Sequence, residues 1–125
     1  GIYSEHFTER TYVELARRVE GLLRQGRSVI VDATFSKRRY LKKVMDAAVD
    51  VGATVHVIEC VASNATVRAR LDERRWEAGN VSDADWRIYL GKKASFEEVP
   101  GPHLVVEAER ALAENLLEVF RAVFD

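Results

Sequence analysis

Ser28-Val29-Ile30-Val31-Asp32-Ala33-Thr34-Phe35 is the stretch on which the reading of this chain turns. Three β-branched apolar residues run into a carboxylate, and a small residue and a hydroxyl follow. An unbroken apolar run of this kind predicts a strand buried on both faces of a parallel sheet. An ionised Asp32 at its end stands at the carboxyl edge of the sheet, where open α/β folds bind their ligands. The competing reading is an Asp that only caps the turn or helix after it.

Working outward, residues 1–7 show no periodicity. From Thr8, an N-cap, the residues Tyr12, Leu15, Ala16, Val19, Leu22 and Leu23 form a helical stripe that ends near Gln25-Gly26. Beyond the central stretch, Ser36 is placed to cap a second helix carrying Leu41, Val44, Met45, Ala48 and Val49, which Gly52 stops. Residues 53–61 read as a second strand, less buried than the first because His56 and Glu59 interrupt it. Ser63 or Asn64 opens a third helix, 65 to about 78, with a thin apolar face (Val67, Leu71) and many arginines. Gly79-Asn80 breaks it, and Ser82-Asp83 caps a helix bearing Trp86, Tyr89 and Leu90. Pro100-Gly101-Pro102 is strong punctuation before a short strand, 103–106, and a closing helix with Leu112, Leu116, Leu117, Phe120 and Phe124. The order α-β-α-β-α-α-β-α predicts one α/β domain, a parallel sheet with helical crossovers.

The bulk numbers agree with a single globular domain: 125 residues, 47% apolar and 31% charged. A formal net charge of −1 gives no general pull toward nucleic acid or membrane, so any anion site is a local patch. Cys60 is the only cysteine, which rules out an internal disulfide and fits a reducing compartment, the cytoplasm by default. No apolar run approaches membrane-spanning length. An opening of Gly-Ile-Tyr-Ser without an initiator Met suggests a cut product.

Asp32 with Thr34 is the first chemical candidate. A carboxylate there can hold a metal, directly or through water, or take a proton from a substrate hydroxyl. An aspartyl-phosphate nucleophile is a weak fit, because Asp32 has no acidic neighbour in sequence. Arg68, Arg70, Arg74 and Arg75 form the second candidate. Arg70 and Arg74 are i,i+4 neighbours, and two like charges so placed repel unless an anion such as phosphate lies between them. Asp72, Glu73 and Glu77 offer the plainer explanation, a salt-bridged solvent face. Lys37, Arg38 and Arg39 stand where cations oppose the dipole of the helix they open and could meet an anionic substrate, although surface solubility is the plainer explanation. Three scattered histidines and one cysteine argue against a zinc site, and no nucleophile elbow is present. Trp76, Trp86 and Tyr89 flank the arginine helix as base-stacking or core residues.

Gly1-Ile2-Tyr3-Ser4 through Thr8-Glu9-Arg10-Thr11-Tyr12, then Val29-Ile30-Val31-Asp32-Ala33-Thr34-Phe35, resemble bacterial predicted kinases of the P-loop class, relatives of gluconate kinase, polynucleotide kinase and zeta-toxin-like proteins. Val67-Arg68-Ala69-Arg70-Leu71-Asp72-Glu73-Arg74 is similar to that family's lid helix, and Val81-Ser82-Asp83-Ala84 to the segment after it. The resemblance implies a three-layer P-loop kinase-like parallel sheet, here incomplete, with three strands and a lid-like segment at about 64–99. It implies Asp32 as the catalytic carboxylate, near magnesium through water and near the acceptor hydroxyl. It further implies Arg70 and Arg74 over the nucleotide phosphates, and Thr34 and Arg38 lining the acceptor pocket.

The chain departs from the family at its start. The phosphate loop G-x-x-x-x-G-K-[ST] is missing: Gly91-Lys92 is the only Gly-Lys pair, and Lys93 follows it. The backbone amides and lysine of that loop cradle the nucleotide phosphates, and its hydroxyl holds magnesium. The expectation is therefore the C-terminal part of an ATP- and magnesium-dependent kinase acting on a small-molecule or nucleic-acid hydroxyl, inactive by itself and binding neither cofactor tightly. The alternative is a non-catalytic α/β interaction module that lost its loop; a nucleic-acid-binding domain is disfavoured by the near-zero net charge. In such kinases the loop-bearing strand lies between those matching residues 29–32 and 55–60. The sheet is expected either to close across that gap or to be filled by another chain, with self-association through its exposed edge.

Overall fold

The computed structural model describes residues 2–74 and 83–125. They fall into two compact units, Gly1–Val55 and His56–Asp125.

The first unit is built on two helices, α1 (Ile2–Arg24) and α2 (Arg38–Asp50). Tyr12, Ala16 and Val19 of α1 pack with Tyr40, Val44 and Ala48 of α2 as one buried cluster. Leu15, Leu23, Val29, Val31 and Phe35 seal its edges. Both helices end as their glycines require. Gly26 (φ 79°) and Gly52 (φ 80°) adopt the left-handed conformation. In each case two amides return to the last turn: Gly26 to Leu23 and Arg27 to Leu22, then Gly52 to Val49 and Ala53 to Ala48.

Two starts differ from expectation. Helix α1 begins at Ile2 rather than Thr8, because a nucleated helix adds residues at little cost. Ser4 to Phe7 are exposed, which is why that turn shows no apolar period. The N-cap of α2 is Lys37, extended at φ −125° and ψ 143°, with no side-chain cap bond, so Ser36 does not cap it. Val49, expected on the buried face of α2, is exposed.

Residues 28–32 correct the sequence reading most. Val29 and Val31 turn toward the helical core while Ile30 is 97% exposed, so the side chains alternate as in a strand. The segment nevertheless belongs to no sheet among the described residues. A strand is a paired structure, whereas an apolar run reports burial and not the presence of a ladder partner. Here burial comes from α1 and α2.

The second unit contains β1 (Ile58–Val61), α3 (Asn64–Arg74), α4 (Asp83–Ser95), β2 (Leu104–Glu107) and α5 (Leu112–Phe124). Strands β1 and β2 pair in parallel, Ile58 opposite Leu104 and Val61 opposite Glu107. The Leu104 amide to the Val57 carbonyl and the Ala108 amide to the Val61 carbonyl extend the contact at both ends. The described sheet thus has two strands rather than three. Helix α5 has the expected apolar row, but Leu112, Leu116, Leu117, Phe120 and Phe124 are all exposed. Arg75, Trp76, the Gly79-Asn80 break, Val81 and Ser82 lie outside the described residues. Among the described residues, no helix is long and apolar enough to cross a membrane.

Candidate functional site

Asp32 is exposed, one residue past the last valine that packs on the core of the first unit. The chain carrying it is tied down just beyond. The Phe35 amide donates to the Tyr12 hydroxyl at 2.9 Å, and that hydroxyl lies 3.3 Å from Thr34 Oγ1. The Tyr12 ring stacks on Tyr40 (centroids 4.5 Å, planes 7° apart) and meets Phe35 at 5.3 Å. Phe35 takes φ 46°, a conformation an aromatic residue rarely adopts and which costs roughly 1 kcal/mol or more. The tyrosine hydroxyl and the ring contact hold it there. Tyr12 therefore positions the Asp32–Thr34 turn. Sequence reasoning placed Tyr12 only in the apolar stripe; the available signal was that a buried tyrosine hydroxyl needs a partner.

Arg38 is the first residue of α2 and is exposed at the surface. Arg39, its neighbour, serves the scaffold. Its guanidinium sits 3.2 Å from a Glu9 carboxylate oxygen and 5.0 Å over the Tyr40 ring, and it donates to the Tyr40 hydroxyl at 3.3 Å. That hydrogen bond, with the nearby acids, pushes Arg39 above its ordinary value. The first turn of α2 holds no acidic residue, so Lys37, Arg38 and Arg39 bring positive charge to the positive end of the helix dipole.

In the second unit, Arg70 and Arg74 are exposed one turn apart on α3. Arg68 lies elsewhere: its guanidinium covers the Trp86 ring at 5.1 Å, and Trp86 stacks on Tyr89 with centroids 5.1 Å apart. Trp86, read from the sequence as a base-stacking or core residue, here lies against an arginine of α3. Ser63 is the N-cap of α3, its Oγ accepting the Thr66 amide at 3.1 Å. The Glu109 carboxylate, from the turn after β2, accepts the Ser63 amide at 2.6 Å. That bond, then the Glu109 amide and the Thr66 hydroxyl, holds the Glu109 carboxyl at about 2, well below the ordinary 4.5. Lys93, near the end of α4, donates to Asn64 Oδ1 at 2.6 Å.

Of the predicted site residues, Asp32, Thr34 and Arg38 thus belong to the first unit, and Arg70 and Arg74 to the second. Among the described residues, no group of three or more His, Cys, Asp or Glu side chains is placed to hold a metal ion.

A family model described as an AAA domain matches residues 2–99, which include all five of these residues. The chain belongs to that family, and with it to the P-loop kinase-like nucleotide-binding proteins. No curated protein and no solved structure matches the chain.

Proposed function

We propose that this chain is the acceptor-side and lid portion of an ATP-dependent phosphotransferase, acting on a hydroxyl of a small molecule or of a nucleic-acid end. The observation that carries the reading is the family match, because it runs unbroken through both the Asp32 turn and the arginines of α3. Asp32 takes the proton from the acceptor hydroxyl as its oxygen attacks the γ-phosphorus, and the bond from that phosphorus to the β,γ-bridging oxygen breaks, releasing ADP. Thr34 and Arg38 line the acceptor pocket, and Arg70 and Arg74 bind the phosphate oxygens with charge-assisted hydrogen bonds. An i,i+4 arginine pair on an exposed face is a suitable donor set for phosphate.

The implied cofactors are ATP and magnesium. One exposed carboxylate suits a magnesium ion that keeps most of its water and takes further oxygens from phosphate, so Asp32 is read as a ligand through water. When bound, the ion draws charge from the phosphate oxygens. The loop that cradles the phosphates is not in this sequence. The proposal therefore places it on a strand elsewhere in the intact protein.

The test is made on the native, uncut protein. Its mass and N-terminal sequence should reveal a G-x-x-x-x-G-K-[ST] segment, and calorimetry should show magnesium-dependent ATP binding. A native protein with neither the loop nor nucleotide binding overturns the enzyme reading in favour of a non-catalytic interaction module.

A further inference from the structure

Two contacts converge on consecutive residues at the start of α3. Glu109 reaches back from the turn after β2 to the Ser63 amide, over a sequence separation of 46, at 2.6 Å. Lys93, on the last turn of α4, reaches Asn64 over a separation of 29, also at 2.6 Å. Ser63 in turn holds the first turn of α3 through the Thr66 amide and the Thr66 hydroxyl, at 3.1 and 3.0 Å. The turn after β2 and the end of α4 are thereby gathered at one place, the root of the helix that bears Arg70 and Arg74. Arg68 over Trp86 joins the same two helices further along.

A carboxylate at that root does two things. It accepts amide hydrogens that a helix start leaves without partners, and its charge matches the positive end of the helix dipole. An aliphatic or amide side chain cannot do both. The turn after β2 is anchored by the strand before it, in which Val106 is buried and which is laddered to β1.

We propose that Glu109, assisted by Lys93, is a positioning residue: it clamps the root of α3 and so fixes where Arg70 and Arg74 meet the nucleotide phosphates. The clamp stands on the contacts above; its consequence for phosphate binding rests on the kinase reading. Glu109 touches neither substrate nor nucleotide in this scheme.

The experiment compares the native protein with Glu109→Ala and Glu109→Gln, using amide hydrogen exchange and nucleotide kinetics. Loss of the clamp speeds exchange of the Ser63 and Thr66 amides about 3- to 10-fold in Glu109→Ala, while helix α1 amides are unchanged. Glu109→Gln, which keeps an acceptor oxygen and loses the charge, recovers part of that protection. With α3 released, the KM for ATP rises about tenfold in Glu109→Ala, with a smaller change in kcat, as expected for lost positioning of binding groups. Unchanged Ser63 and Thr66 exchange in a folded Glu109→Ala protein overturns the clamp. Faster exchange with an unaltered KM overturns the positioning role. A wild-type protein that neither binds nor turns over ATP overturns the kinase reading instead, and the exchange data still decide the clamp.

Discussion

The hydroxyl of Tyr12 accepts the amide hydrogen of Phe35 at 2.9 Å, across 23 residues of sequence. This bond makes the interior of the first helix responsible for the shape of the turn that ends in Thr34 and Phe35. It also explains how an aromatic residue holds φ 46° there.

Tyr12→Phe removes the acceptor and strands the Phe35 amide while keeping the ring stack on Tyr40. An unsatisfied, partly buried donor costs about 1–3 kcal/mol, and urea denaturation of the variant should show a loss in that range. A variant as stable as the parent would remove Tyr12 from the account of the turn.

Gly26→Ala and Gly52→Ala separate backbone strain from crowding. A Cβ at either position meets nothing within 4 Å, yet both residues hold φ near 80°. Each substitution should therefore cost about 1 kcal/mol through the left-handed backbone alone, with additive effects on the urea midpoint. A neutral result would mean that the helix ends rearrange freely.

Acid should weaken the second unit through Glu109. Its folded value, about 2, lies below the ordinary 4.5 because the Ser63 amide donates to it. A depressed carboxyl contributes stability that is complete above its unfolded value and is lost as pH falls toward the folded one, here from about 4.5 to about 2. Glu14 adds a decline of the same sign in the first unit, being held at about 2 by hydrogen bonds from Arg17 and then Arg18. Comparing urea midpoints above and inside that window, Glu109→Gln should fall less steeply than the parent. Identical slopes would contradict the assignment.

Phe120→Asp tests the exposure of the α5 face. Phe120 and Phe124 touch each other (centroids 4.7 Å) but are otherwise open to solvent. The change should alter stability by less than about 0.5 kcal/mol. A loss of several kcal/mol would show that the ring is buried against something in the protein as it exists.

What the sequence told depended on how local each signal is. The stripe from Tyr12 to Leu23, the stops at Gly26 and Gly52, and a helix start at Ser63 or Asn64 are set by neighbours within one turn, and all are found in the structure, with Ser63 as the cap. The strand expected at 28–32 needed a partner that no local pattern can supply. The same holds for α5, whose periodicity shows which face is apolar and not what covers it. The candidate site was legible as residue types, Asp32 after an apolar run and arginines at i,i+4. The devices that hold those residues were not: Tyr12 to Phe35 and Glu109 to Ser63 span 23 and 46 residues and leave no periodic trace.

The most direct test of the central claim is single-turnover transfer of the γ-phosphate by the native protein and its Asp32→Asn variant, with saturating ATP and magnesium. If Asp32 is the base, the transfer step should slow by about 10²- to 10⁴-fold while the fold and the affinity for ATP are kept. Transfer at the parent's rate would place the chemistry elsewhere and contradict the account.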